Sequence, residues 1–166
     1  VGTYAVQIAA ALGAEVTGVC STHNVELVRS IGATHVVDYT TEDFTDGRTR
    51  YDVIFDNVSS LPLTRLRRVL APQGILVLNG GGSPGHVFGP VAGILRAVAV
   101  NTFVSQRLRP LPSRQNRQEL LAVTGLIEDG KLTPVVGRTY PLADTAEGLR
   151  HVERGHSRGK AVVSVA

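Results

Sequence analysis

The chain has 166 residues, 43% hydrophobic and 19% charged, which is the composition of a folded protein and not of a disordered one. Its length suggests one domain, and no apolar run reaches the ~18 residues of a membrane helix. Cys20 stands alone, which excludes an intrachain disulfide framework and a zinc site built from several thiolates of this chain.

The first predicted element is a helix over Gly2–Leu12 (GTYAVQIAAAL), stopped by Gly13. The β-branched run Ala14–Cys20 predicts a strand. Asn24–Ile31 reads as a helix with Asn24 as N-cap. Thr34–Tyr39 predicts a second strand, Glu42–Phe44 a single helical turn, and Tyr51–Val58 a third strand. Pro62–Leu70 reads as an amphipathic helix with Pro62 near its first turn. Pro72–Gly74 reads as a turn and Gly74–Asn79 as a fourth strand. After Gly80–Gly82, His86–Val98 reads as helical and Asn101–Gln106 as an edge strand. Two prolines make Arg109–Ser113 a break. Gln115–Glu128 is a strong amphipathic helix, Ala143–Glu153 a further helix and Ala161–Val165 a final strand. Apolar strands joined by amphipathic helices predict a parallel sheet covered on both faces, a doubly wound α/β (Rossmann) fold.

The net charge is +3, but its layout is uneven. Residues 1–56 carry three Arg against eight acids, and residues 57–118 carry eight Arg and no acid. A one-sign block can serve nucleic acid, but the Arg residues are spaced out and no aromatic residues alternate with them. Basic patches also serve anionic cofactors, and solvated helix faces account for the same pattern. Neither a nucleic-acid nor a membrane partner is expected.

Val1-Gly2-x-x-Ala5-Val6-Gln7 has the form of the downstream end of a G-x-G-x-x-G dinucleotide turn, with Gly2 as the third glycine. Taken alone, this stretch fits an ordinary helix-start glycine better. The longer stretches VGTYAVQIAAALGAEVTGVCST, ELVRSIGATHVVDYTTEDF, YDVIFDNV and LRRVLAPQGILVLNGG carry more, as does the tail GKLTPVVGRTYPLADTAEGLRHVERGHSRGKAVVSV. Through them the chain resembles the medium-chain dehydrogenase/reductase superfamily, and within it the zinc-independent NADPH-dependent quinone oxidoreductases and enone reductases. The resemblance implies the cofactor-binding part of a two-domain enzyme, without the sheet's first strand and without the GroES-like catalytic domain. It implies a nucleotide-binding domain over residues 1–131 and a segment returning to the catalytic domain over 132–166. The expected sheet order is 3-2-1-4-5-6 with strand 1 absent, so these residues alone are expected to be unstable or oligomeric.

The resemblance also implies a cofactor and its contacts. Val1 and Gly2 lie where helix N–H groups face a pyrophosphate. NAD-preferring relatives carry an acid at the end of the second strand, whereas residues 18–24 here read Gly-Val-Cys-Ser-Thr-His-Asn. Ser21, Thr22 and Asn24 can donate to a 2′-phosphate, so NADP is the expected cofactor; His23 stands where relatives often carry Arg. Tyr39 falls at the position that lies by the adenosine phosphate in relatives. Asn57, Val58, Gly80 and Gly81 end strands at the carboxyl edge, beside the nicotinamide ribose. Phe103 and Val104, with Ser105, match the place where relatives hold the carboxamide; the same stretch reads as a homodimer edge strand, 101–106. Lys160 lies near the cofactor in some relatives, and a solvent lysine is the other reading.

No residue of the chain qualifies as a general acid or base, and His151 and His156 have the wrong spacing for a metal pair on one helical face. The expected function is hydride transfer from NADPH to a small-molecule quinone or enone, with catalytic groups lying elsewhere. A zinc alcohol dehydrogenase of the same superfamily and a non-catalytic dinucleotide-binding or scaffold subunit are the alternatives. The lone cysteine fits a reducing cytoplasm.

Overall fold

The computed structural model describes residues 1–58, 60–79, 105–111, 116–155 and 157–165. These residues form an α/β fold whose strand pairings are all parallel. They divide into two compact units, residues 1–42 with 116–166 and residues 43–115. The predicted helix His86–Val98 and residues 101–104 of the predicted edge strand lie outside the described residues.

The first unit opens with α1, Gly2–Ala11, ended by Gly13 at a φ of 82°. β1, Thr17–Cys20, pairs in parallel with β2, His35–Asp38, from Thr17↔His35 to Cys20↔Asp38. Between them lie a 3-10 turn at Thr22–Asn24 and α2, Val25–Ser30. Gly18 is the reason α2 can lie close on β1, because a Cβ there would collide with the side chain of Val28. Gly32 packs against Ala10, near the carboxyl end of α1 and just before β2 begins. Asn24 does not cap α2. It sits in helical conformation at the end of the 3-10 turn, and its amide donates back to Ser21 Oγ at 3.2 Å.

The same unit holds α4, Arg117–Glu128, whose cap Asn116 accepts from Gln118 N–H. It also holds β6, Val136–Pro141, α5, Thr145–Glu153, and β7, Lys160–Ser164. β6 and β7 pair in parallel and α5 packs on them, with the Tyr140 ring against Gly148. Gln7 ties α1 to the chain after α4 with a two-way amide clasp: its Nε2 donates to Thr133 O at 3.0 Å and its Oε1 accepts from Thr133 N at 2.8 Å.

The second unit is a three-stranded sheet with order β3-β4-β5. β3 is Tyr51–Asp56, β4 is Leu70–Leu78 and β5 is Arg107–Pro110. α3, Leu63–Val69, covers one face through a core of Leu66, Leu70, Leu76 and Leu108, with Phe44, Ile54 and Leu63 around it. Burying each such leucine contributes roughly 1.5–3 kcal/mol.

Three sequence expectations are corrected here. Glu42–Phe44 is not helical; Asp43 accepts from both Thr45 N and Thr45 Oγ1, an Asx turn that competes with helix. The predicted turn Pro72–Gly74 falls inside β4, as a register shift between Tyr51↔Leu70 and Val53↔Ile75. The strand paired with β4 on the side away from β3 is Arg107–Pro110, which runs into the predicted proline break at Arg109 and Pro110. Pro110 closes β5, and among the described residues β5 is an edge strand, whose ladder a proline need not extend.

Candidate functional site

Two clusters of predicted residues form in the first unit. The first is at the amino end of α1. Tyr4 N and Ala5 N both donate to Val1 O, so the N–H groups of Gly2 and Thr3 lie ahead of the first intrahelical bond. Among the described residues no side chain caps this end, and no acid lies in its first turn. Lys160, the first residue of β7, extends its Nζ over the Tyr4 ring, 5.5 Å from the centroid. Uncapped helix N–H groups beside a lysine ammonium suit an anion. Gly159 fixes Lys160 there: it adopts a φ of +89°, a Cβ on it would meet Val135 O at 2.5 Å, and Lys160 N donates to the same Val135 O at 2.7 Å.

The second cluster lies where β1 and β2 end. Ser21, Thr22, Asn24 and Tyr39 meet there, with Tyr39 N donating to Cys20 O at 3.0 Å. Ser21 Oγ accepts from Asn24, which leaves the Ser21 hydroxyl proton free to donate elsewhere. Thr22 Oγ1 lies 3.0 Å from Thr40 Oγ1, and Thr40 donates through both N and Oγ1 to Asp38 Oδ1 at 2.9 and 2.7 Å. Hydrogen bonds from Thr22 and Thr40 hold the Asp38 carboxyl below the usual carboxylate range. Burial and then the Asp38 charge push the Cys20 thiol up, which makes it a poor nucleophile.

Asp38 and Thr40 are the residues that sequence reasoning missed. The available signal was the D-x-T spacing, an Asx-turn pattern, which recurs at Asp43–Thr45. Only the β1–β2 register brings that turn beside the β1–α2 turn. The Tyr4–Lys160 contact was likewise invisible, because it joins residues at opposite ends of the chain.

In the second unit, Asn57 and Val58 follow β3 and Asn79 follows β4. Asn79 Nδ2 donates to Asn57 Oδ1 at 2.7 Å, and Val58 N donates to Asp56 Oδ1 at 3.2 Å. Gly80, Gly81, Phe103 and Val104 lie outside the described residues. Arg65 pairs with Asp43 and donates to Thr45, while Arg67 donates to Gln106. Gln106 in turn donates to the carbonyls of Arg67 and Leu70. These two arginines of the basic block thus hold the second unit together. No helix among the described residues is long and apolar enough to cross a membrane.

The profile of the zinc-binding dehydrogenase family matches residues 31–163. The described residues do not fit a zinc ion, since among them no group of three or more His, Cys, Asp and Glu could hold a metal. A mitochondrial NAD(P)H oxidoreductase of Mus musculus is 34% identical over 179 residues, covering 99% of this chain and 45% of its own length. A chloroplastic NADPH-dependent alkenal/one oxidoreductase of Arabidopsis thaliana is 30% identical over 169 residues, covering 98% and 37%. The solved quinone oxidoreductase of Coxiella burnetii superposes with a TM-score of 0.77 at 25% identity, covering 98% of this chain and 49% of that one. The chain therefore spans less than half the length of these two curated relatives. With the family profile matched over 31–163 and parallel α/β units of the same fold, the chain belongs to the zinc-binding dehydrogenase family of the medium-chain dehydrogenase/reductase superfamily.

Proposed function

We propose that this chain is the nicotinamide-dinucleotide-binding part of an oxidoreductase that moves hydride from NADPH to a quinone or enone. The observation that carries the reading is the meeting of Lys160 with Tyr4 in the first turn of α1. Gly2 N–H, Thr3 N–H and the Lys160 ammonium supply the donors for a pyrophosphate. At the ends of β1 and β2, the free Ser21 proton and exposed His23 face the adenosine ribose, and Tyr39, 55% exposed, offers a ring beside it. Asn24 sets the direction of Ser21, and Thr22 joins the Asp38 network. Asn57 and Val58, with Gly80, Gly81, Phe103 and Val104, are assigned to the nicotinamide end on the family resemblance. When bound, NADPH supplies the hydride from its nicotinamide C4. The chain's own residues orient the cofactor and supply no acid or base.

The names of the relatives, NAD(P)H oxidoreductase and NADPH-dependent alkenal/one oxidoreductase, support the substrate class. The reading includes zinc independence, pairing of two copies along the edge near 101–106, and residence in the cytoplasm, suggested by a single unpaired Cys20. The relatives' names are organellar, which makes an organelle the competing compartment. A second reading, a zinc alcohol dehydrogenase, is favoured by the description of the matching family.

The test is turnover by the complete protein. NADPH consumption with a panel of quinones and enones, undiminished by a metal chelator, is the expected outcome. Alcohol oxidation that a chelator abolishes supports the second reading, and failure to turn over either class sinks both.

A further inference from the structure

We propose that Asp38 is a specificity-determining residue, one that weakens the preference of the site for a 2′-phosphorylated adenosine ribose over an unphosphorylated one. The inference rests on the dinucleotide reading above and deepens it.

Domains of this fold select NAD by an acid at the end of the strand that leads into the ribose turn. That strand is β1, and residues 18–24 contain no acid. The structure supplies a carboxylate from the neighbouring strand instead. Asp38 is the register partner of Cys20, the last residue of β1. Its Oδ1 is linked through Thr40 Oγ1 at 2.7 Å to Thr22 Oγ1, a further 3.0 Å on. An acid is thus built into the turn that by sequence has none.

Counting protons sharpens the point. Each hydroxyl has one proton to donate. The Thr40 proton goes to Asp38, so the Thr22 proton goes to Thr40 or to Asp38. Thr22 then presents lone pairs outward. Lone pairs accept from a ribose 2′-OH and disfavour a phosphate oxygen. Ser21, whose oxygen already accepts from Asn24, is left as the hydroxyl able to donate to a phosphate. The same carboxylate repels a dianion across a partly wet gap, an effect of about three- to tenfold on binding. The hydrogen bonds that hold Asp38 also keep its carboxyl ionised throughout the neutral range.

The experiment titrates the complete protein and its Asp38→Asn variant with NADPH and with NADH, at low and at high salt. Asn keeps an oxygen to accept from Thr40 and removes the charge. The expected result is a rise of about three- to tenfold in the NADPH-over-NADH affinity ratio, shrinking at high salt. Asp38→Ser, which removes the charge without adding an amide donor, is expected to move the ratio the same way and stands in if the Asn variant does not fold. A ratio that stays within about twofold in the variant, or falls, overturns the inference. A parent protein that binds both dinucleotides while its variants leave the ratio unmoved sinks this inference alone; a parent that binds neither sinks the dinucleotide reading with it.

Discussion

Lys160 and Asp38 divide the work of the candidate site at the scale of single residues. Lys160 stands at the α1 amino end, where the proposed reading puts a group common to NADPH and NADH; the same reading puts Asp38 where the two would differ. Lys160→Gln is therefore expected to weaken both dinucleotides alike, by about three- to fivefold, as an exposed charge interaction allows. Parallel titrations check this, and the affinity ratio should not move. A large loss for NADPH alone would show that Lys160 faces the 2′-phosphate instead. Local patterns made Gly2 and Ser21 legible as candidates, and Lys160 was a candidate through the family resemblance alone. The sequence left Asp38 unread because its role depends on pairing with Cys20 across two strands, which no local pattern encodes.

At the scale of elements, glycine placement decides how closely helix and strand approach. Gly18 is buried in β1 under Val28 of α2, and a Cβ there collides with that branched side chain. Gly18→Ala is expected to push α2 outward and destabilise the complete protein by about 1–3 kcal/mol, the usual range for overpacking. Chemical denaturation checks the loss, and an unchanged midpoint would mean that α2 yields freely. The amphipathic and apolar runs gave α1, α2, α3, α4 and β1–β4 to within a few residues, because each combines a strong period with a clear stop. β6 was missed. Val136–Pro141 holds a glycine and a proline and is exposed along most of its length, so it carries no strand pattern. Gly137 in it is required by geometry, since a Cβ there would strike the Arg158 carbonyl. The turn at Asp43–Thr45 was misread as helical because its side-chain hydrogen bonds, not its apolar spacing, decide its shape.

At the scale of the whole molecule, the described residues form parallel sheets of β1-β2, β3-β4-β5 and β6-β7. The basic middle of the sequence has changed its meaning. Arg65 and Arg67 serve packing in the second unit, and the charges argued to meet a cofactor lie instead in the first unit, at Lys160 and Asp38. The central claim is that the protein to which this chain belongs binds a nicotinamide dinucleotide and prefers its 2′-phosphorylated form. Calorimetric titration of that complete protein with NADPH and with NADH tests it most directly. The account predicts that both bind and that NADPH binds more tightly. Tighter binding of NADH contradicts the cofactor assignment, and binding of neither contradicts the account as a whole.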